Sequence, residues 1–320
     1  MNHSYLPEGE RIREADNREY LSSPAGLQRA MNEGKILEST VLLCDNALRL
    51  HLELGGMRGI MEREEAVLCR RGEELKDIAV ITRVGKPVCF KVIGFDVLRG
   101  ETVALLSRRE AQAECALRYL SSLRPGDVIP ATVTHLESFG AFVDIGCGVP
   151  SLLSVDSISV SRISHPSDRL SVGDRIHVVV RSVDRESGRI FVSMRELLGT
   201  WEENAAHFEV GQTVAGVVRS VESYGVFVEL APNLAGLAEL REGSADREIA
   251  RVGTHAAVYI KSILPDRMKI KLVLIDSCKG EPPRSPLRYF VDCDRVRHMD
   301  RWLYSPPSSG KVIETVFEER

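Results

Sequence analysis

An internal repeat constrains the fold of this chain more than any other feature of its sequence. The segment RPGDVIPATVTHLESFGAFVDIGCGVPSLL begins at Arg124, and EVGQTVAGVVRSVESYGVFVELAPNLAGLAEL begins at Glu209. Gly126 of the first matches Gly211 of the second, at an offset of 85 residues (211 − 126). Further on, GDRIHVVVRSVDRESGRIFVSM matches GTHAAVYIKSILPDRMKIKLVL. Such self-similarity indicates one small folding unit that is present at least twice.

Each copy contains five short β-rich runs that are separated by Gly, Pro, Asp and Ser. Within the runs, apolar and polar residues alternate. Alternation with a period of two is typical of strands that cover one face of a core. Five strands in about 70 residues suit a small closed barrel of the OB type. The connection at 155–172 predicts a short helical turn. In the first copy the predicted strands cover 127–136, 139–146, 149–154, 174–183 and 189–194.

The strand motifs resemble the S-one RNA-binding domain, which is named after a bacterial small-subunit ribosomal protein. The matching segments are GDVIPATV, SFGAFVDI, VGDRIHVVV and DRESGRIFVS in the first copy, and SYGVFVEL with GLAEL in the second. The resemblance covers 123–276 and implies single-stranded RNA as the ligand. A weaker copy runs from EGKILEST at Glu33 to VALLSRRE at Val103 and lacks the aromatic signature. We interpret it as a degenerate barrel with a structural or protein-docking role.

These segments predict a mainly β chain of tandem five-stranded OB-fold barrels, joined by short helices and followed by a small C-terminal extension. Within that extension, RYFV and KVIETVF are each candidates for a strand. The predicted organisation is an N-terminal segment at 1–32, barrels at 33–108, 123–196 and 209–276, helical linkers at 109–122 and 197–208, and the extension at 277–320.

Two aromatic residues recur at the second predicted strand of both matched copies, as Phe139 with Phe142 and as Tyr224 with Phe227. In a regular strand with apolar residues at the inward positions, Phe142 and Asp144 point outward. A bulge at the intervening glycine is expected to turn Phe139 to the same side. Exposed rings give sequence-tolerant stacking, worth about 1–3 kcal/mol per base. For a single strand the alternative is that such rings are core, and their recurrence favours exposure.

By the resemblance, an acidic and a basic residue around the last hairpin border the stacked bases. These are Asp184 with Arg189 in the first copy and Asp266 with Lys269 in the second. Lys271 is expected to share the outward face with Lys269 and to contact a phosphate. The alternative for the acidic residue is a purely structural role in the turn.

Many members of the family have a histidine at the end of the third strand, within G-L-V-H. Ser151 in GVPS and Glu239 in GLAE are assigned to that place. Because a carboxylate beside a phosphate path is unfavourable, Glu239 is expected to weaken the second copy or to bias its nucleotide preference. His135 and His177 are candidates to compensate in the first copy, the alternative being exposed residues without a role.

The formal net charge of −4 excludes a global positive field that would steer RNA to the chain, so RNA contacts must come from local surfaces. No apolar run approaches the roughly 18 residues of a membrane span, and the N-terminal residues lack the apolar centre of a secretory signal. We therefore expect a cytosolic protein without a membrane partner. The seven cysteines form no C-x-x-C pair and are expected to be reduced thiols.

Enzyme signatures are weak. No G-x-x-x-x-G-K-[ST], H-E-x-x-H or G-x-S-x-G motif occurs. Ser308 and Lys311 match S-x-x-K without companion motifs, and Cys293, Asp294 and His298 are too few for a tetrahedral metal site. We expect no catalytic residue, no metal and no cofactor.

The resemblance implies a short form of the S-one ribosomal protein. Such a protein binds messenger RNA at the small ribosomal subunit during translation, with 33–108 as a candidate docking module. No DNA specificity is expected. Two alternatives remain open at this point: an RNA-binding regulator that does not bind the ribosome, and an accessory subunit of an RNA-processing enzyme.

Overall fold

A computed structural model describes residues 5–69, 72–98, 100–240, 250–278 and 287–318, apart from the side chains of 277 and 278. The chain divides into two compact units. One comprises Met1–Leu123, Pro130–Thr132 and Asp144–Pro150, and the other comprises Arg124–Ile129, Val133–Val143 and Ser151–Arg320. No helix among the described residues is long and apolar enough to cross a membrane.

The weak upstream copy forms a closed barrel with the strand order β1-β2-β3-β5-β4. Helix α3 (Asp77–Ile81) lies in the long connection, and α4 (Arg108–Arg118) follows the barrel, where a helical linker was predicted. The strands are β1 (Leu37–Cys44), β2 (Leu50–Glu53), β3 (Arg58–Met61), β4 (Pro87–Leu98) and β5 (Glu101–Ser107).

The N-terminal segment adds two helices to this first barrel, which the sequence analysis did not predict. They are α1 (Ala15–Leu21) and α2 (Pro24–Glu33). Tyr20, Leu27 and Ala30 join its buried core. The N-terminal segment is therefore part of the folded domain.

The second barrel is closed in the same order, β6-β7-β8-β10-β9. Short 3-10 turns at Val155–Ser157 and Pro166–Asp168 occupy the connection for which a helical turn was predicted. The strands are β6 (Val128–Glu137), β7 (Gly140–Asp144), β8 (Pro150–Ser154), β9 (Arg175–Asp184) and β10 (Arg189–Ser193).

The third barrel repeats that order as β11-β12-β13-β15-β14. Before it lies α5 (Trp201–Ala205), which begins with a capping box between Thr200 and Glu203. In all three barrels the third strand pairs in parallel with the fifth. The prediction of tandem OB-type barrels is thereby confirmed. The strands are β11 (Thr213–Val221), β12 (Gly225–Ala231), β13 (Leu234–Glu239), β14 (His255–Leu264) and β15 (Lys269–Cys278).

The C-terminal extension forms a two-stranded sheet of β16 (Arg301–Leu303) and β17 (Glu314–Val316), the latter within KVIETVF. The predicted strand at RYFV is wrong. Its residues make separate hydrogen bonds and no strand ladder. The Tyr289 hydroxyl accepts a hydrogen bond from the His177 N–H, and the Phe290 N–H donates to the Leu197 carbonyl.

Asp144 was predicted to point outward from the core of the barrel, yet it does not reach solvent. The side chain is only 2% exposed. Its carboxylate accepts hydrogen bonds from the N–H groups of Glu8, Gly146 and Gly148. Burial, together with the nearby Glu8 carboxylate, raises the pKa of Asp144 to about 7. The N-terminal segment covers this acid, which a strand pattern alone cannot reveal.

Candidate nucleic-acid interface

Phe139 and Phe142 lie side by side on the outside of the second barrel. Their ring centroids are 6.1 Å apart with the planes at 90°, an edge-to-face arrangement that aromatic pairs favour. Phe139 is 53% exposed because it lies in the turn between β6 and β7, and no bulge within a strand is needed to expose it. Gly140 opens β7, and a Cβ there would lie 2.5 Å from the Leu153 carbonyl oxygen, so glycine permits the close approach of β8.

His135 extends this pair. Its imidazole lies 6.4 Å from the Phe142 ring, with an interplanar angle of 27°. Its Nε2 lies 2.7 Å from Oε1 of Glu137, which orients the ring. The structure therefore brings together three of the predicted residues, and we call Phe139, Phe142 and His135 the first platform.

The third barrel repeats the aromatic pair with nearly the same geometry. The rings of Tyr224 and Phe227 lie 6.2 Å apart at 89°. Tyr224 is 59% exposed and Phe227 is half-buried. At the position of His135, Ser220 pairs with Phe227 across the sheet. We call Tyr224 and Phe227 the second platform.

A row of outward residues runs from the second platform across the third barrel. Phe227 pairs with Leu237 on β13, and Leu237 pairs with Lys271 on β15. In the second barrel the matching parallel pair is Leu152 with Phe191. Phe191 is a third phenylalanine on this face, which the sequence analysis missed. Its signal was the alternation in RIFVS, where the isoleucine and valine on either side are buried.

The same registers correct the assignment of the family's histidine position. Because Leu152 corresponds to Leu237, Ser151 corresponds to Gly236, and Ser154 corresponds to Glu239. Ser151 is buried and donates a hydrogen bond to the Ile190 carbonyl. Ser154 is half-buried at the end of β8 and is the residue at the family's histidine position.

Glu239 does not stand alone beside the second platform. Its Oε1 lies 3.7 Å from Nζ of Lys271, and both side chains are exposed. An exposed ion pair of this kind contributes little to stability. Its effect at this place is to offset the charge of the lysine that was predicted to contact phosphate.

The last hairpins of the two barrels differ more than the resemblance implied. The Asp184 carboxylate accepts from the N–H groups of Glu186 and Ser187 and from the Ser187 hydroxyl. These hydrogen bonds, chiefly those from Ser187, lower the pKa of Asp184. Asp184 therefore holds the turn, while Arg189 lies opposite it in the pairing and is exposed.

In the third barrel Leu264 takes the place opposite Lys269. Asp266 lies two residues further on, in the 3-10 turn Pro265–Arg267, where its carboxylate is 3.5 Å from Nε of Arg267. The two predicted acid and base pairs are thus not equivalent in space.

His177 is not part of the first platform. Its ring packs edge-on against Tyr289 of the C-terminal extension, at 5.7 Å between centroids. Burial lowers the pKa of His177, and the nearby Arg297 acts in the same direction. The described part of the chain holds no cluster of three or more His, Cys, Asp or Glu side chains that fits a metal ion.

Comparison with known proteins finds similarity to one family model and to bS1 proteins. Residues 122–195 match the model of the S1 RNA binding domain. The chain is 31% identical over 268 residues to the small ribosomal subunit protein bS1 of Leuconostoc lactis, a match that covers 80% of this chain and 59% of that protein. It is 33% identical over 223 residues to the bS1 protein of Pseudomonas aeruginosa, covering 66% and 39%.

A solved structure, GSP13 from Bacillus subtilis, is 32% identical over 23% of this chain and 57% of that protein, with a TM-score of 0.22. The chain spans between about two fifths and three fifths of the length of the two bS1 relatives named above. The S1 domain lies on the second barrel, and the matches to bS1 extend over most of the chain. The second barrel therefore matches an S1 RNA binding domain, and the chain is similar to bS1 proteins over most of its own length.

Proposed function

We propose that this protein binds single-stranded RNA on its two aromatic platforms and acts as a non-enzymatic, S-one-like component of the small ribosomal subunit in translation, in the cytoplasm. The observation that carries the proposal is the recurrence, at the same place in two barrels, of one edge-to-face ring pair whose first ring is exposed and whose second is half-buried. Rings left uncovered twice in this way are platforms on which unpaired bases stack.

Local charge supports the proposal although the whole chain is acidic. Arg189 lies at the start of β10, and Lys269 and Lys271 lie on β15, all three exposed. Lys271 is joined to the second platform through Leu237, and the three side chains supply the few cations that a backbone path needs. Because few phosphates are neutralised, we expect a shallow dependence of affinity on salt.

The RNA-binding half of the proposal is tested by fluorescence anisotropy with a labelled single-stranded RNA of about 12 nucleotides and with a duplex of the same sequence. Each double variant, Phe139→Ala with Phe142→Ala or Tyr224→Ala with Phe227→Ala, should weaken single-strand binding by roughly 10- to 100-fold, as the loss of stacked bases implies. Tyr259→Ala removes an exposed ring of the third barrel that lies outside both platforms and serves as the matched control.

Binding that is unchanged in both double variants, while their thermal unfolding matches the wild type, would show that the platforms do not bind RNA. Equal affinity of the wild type for duplex and single strand would contradict the stacking mechanism.

The first barrel supports the ribosomal half of the proposal. It exposes Leu42 and Leu43 on β1 and Ile78 and Ile81 on α3. The turn after α3 joins β1, because the Gly85 N–H donates to the Val41 carbonyl. Exposed apolar groups of this density are typical of a protein-binding surface, and this barrel has no exposed ring pair at its first turn.

Co-sedimentation with small ribosomal subunits tests this docking role. Leu43→Glu combined with Ile81→Glu should abolish co-sedimentation and leave single-strand affinity unchanged. Val97→Glu, at an exposed apolar residue elsewhere in the same barrel, is the matched control. Co-sedimentation of the double variant at the wild-type level would remove the first barrel from the proposal.

A further inference from the structure

A cleft of about 760 Å³ lies between the outer face of the second barrel and the C-terminal extension, within one compact unit. This volume falls in the range of roughly 300–1,000 Å³ that is usual for sites of small ligands. The barrel side presents Leu152, Phe191 and three arginines, and the extension side presents Glu314, Thr315, Val316 and Glu318.

The barrel side of the cleft offers a stacking surface and cations. Phe191 and Leu152 are paired neighbours, so they form one apolar floor. Arg181 and Arg185 are exposed, and Nη1 of Arg181 donates to the Ser157 hydroxyl at 2.9 Å, which fixes its direction. An aromatic floor with guanidinium groups at its edge matches a base with its phosphate.

The extension side is held firmly to the barrel. The Thr315 hydroxyl accepts from Nη2 of Arg195 at 3.3 Å and donates to Oε1 of the buried Glu196 at 3.0 Å. Phe317, one residue beyond β17, is buried in a cluster with Val128, Val179 and Leu197. The wall of the cleft is thus a packed part of the unit.

The extension side of the cleft carries two carboxylates, and one of them is neutralised by an ion pair. Oε2 of Glu314 accepts from Nε of Arg301 at 2.6 Å, so its charge is compensated within the extension. Glu318 is exposed at the edge. A carboxylate at the edge of a base site is an acceptor for exocyclic amino groups. Cations on one wall and acceptors on the other are the pattern that one nucleotide requires.

The cleft continues the first platform. Strand order places β7, which carries Phe142, next to β8, which carries Leu152, and β8 next to β10, which carries Phe191. A strand of RNA that stacks on the first platform therefore crosses β8 and arrives at the cleft.

We propose that the cleft binds a further nucleotide of the same single-stranded RNA, with its base on Phe191 and Leu152 and its phosphate at Arg181 and Arg185. The C-terminal extension is then one wall of the RNA site. This inference rests on the proposed function of the first platform.

Two matched substitutions that introduce a carboxylate test the wall of the cleft. Val316 lines the cleft and is 49% exposed, whereas Val312 belongs to the same extension, is 65% exposed and does not line it. Val316→Glu should weaken the binding of labelled oligoadenylate of about 12 nucleotides by about tenfold, because it adds bulk and a further negative charge to the cleft that the nucleotide must enter. Val312→Glu should bind as the wild type does.

Two substitutions of arginine by alanine test the phosphate contact separately. Arg185→Ala should reduce the slope of log affinity against log salt by about 0.7, the value for one phosphate of a single strand. Arg295→Ala removes an exposed arginine of the extension outside the cleft and should leave the slope unchanged. Since Arg185 is exposed in a turn, its removal does not threaten folding, and it decides the question if Val316→Glu unfolds.

The platform variant Phe139→Ala with Phe142→Ala, measured in parallel, separates the two proposals. Loss of binding in that variant, with wild-type affinity and slope in Val316→Glu and Arg185→Ala, would overturn the cleft and leave the platform intact. Wild-type binding in all three would overturn the platform as well. An equal loss in Val316→Glu and Val312→Glu would also count against the cleft, because the effect would not depend on position.

Discussion

The second and third barrels share one strand order and one aromatic pair, yet their outer faces differ at three equivalent places. Where the second has His135, Ser154 and Phe191, the third has Ser220, Glu239 and Lys271. The second face is therefore richer in rings, and the third carries an ion pair beside its rings. The closed barrel fixes where outward residues lie, and a few substitutions at those places set how each barrel meets RNA.

The same two barrels also differ at one buried acid. Asp144 and Glu229 occupy the same place at the end region of the second strand, and they are 2% and 5% exposed. Asp144 is held by backbone N–H groups, including that of Glu8. Glu229 is paired with Arg219 of its own barrel and with Arg169 from the connection in the second barrel. The acid at this position thus binds an earlier part of the chain in both barrels, through backbone N–H groups at Asp144 and through arginine side chains at Glu229.

Glu229→Ala should have the largest effect, because it leaves Arg169 and Arg219 buried without this partner. Breaking a buried pair on one side costs about 3–5 kcal/mol. The measurement is the free energy of unfolding from urea titration, with the exposed Glu222→Ala as control. A loss of less than about 1 kcal/mol would mean that the acid does not join the two barrels.

Exchanging the residues of the fifth strand that pair with the third strand, Phe191 and Lys271, tests whether they explain the difference in RNA binding. Phe191→Lys should lower affinity for single-stranded RNA by about tenfold, because one stacked base is lost. Lys271→Phe should reduce the salt slope by about 0.7. Titration by anisotropy at several salt concentrations measures both. If neither exchange changes affinity or slope, the row through Leu152 and Leu237 is not part of the RNA path.

The exchange of His135 of the first platform with Ser220 is expected to change RNA affinity by a smaller factor. His135→Ser should weaken binding by roughly threefold, and Ser220→His should strengthen it by a similar factor, since one partial stack is removed or added. The two variants are compared by the same anisotropy titration. Stronger binding by His135→Ser, weaker binding by Ser220→His, or no change in either variant would contradict a stacking role for the His135 ring.

The smallest net effect is expected for a dependence of stability on pH in the unit that contains Asp144, because the lowered pKa of the adjacent Glu8 opposes the raised pKa values of Asp144 and Glu38. Burial raises the pKa of Asp144 and of Glu38 to about 7, above the values of the unfolded chain. The folded state then binds more protons, so the free energy of unfolding should fall as the pH rises from about 5 to about 8. Urea midpoints across this range should show that fall in the wild type, and a weaker one in Asp144→Asn. Midpoints that rise with pH would be inconsistent with it.

Local pattern was enough to predict the strands, because alternation and turn residues are properties of neighbouring positions. It predicted the exposed pair at Phe139 and Phe142 from recurrence. The family's histidine position was misplaced at Ser151, although the offset of 85 residues between the copies leads from Glu239 to Ser154. The registers of the parallel strands decide this point.

The remaining errors come from contacts that are distant along the chain. Nothing near Asp144 indicates that Glu8 covers it, and nothing near His177 indicates that Tyr289 packs on it. RYFV has the composition of a strand, but Tyr289 and Phe290 hydrogen-bond to His177 and Leu197 and not to a partner strand. Phe191 was overlooked because a single aromatic in a short strand gives no signal until its neighbour on β8 is known.

The most direct test of the central claim is ultraviolet cross-linking of single-stranded RNA that contains thiouridine, followed by mass spectrometry of the linked peptides. The account predicts links at both platforms, more at Phe139 and Phe142 than at Tyr224 and Phe227, and further links at Phe191. Links confined to the first barrel, or spread without preference for the platforms, would contradict it.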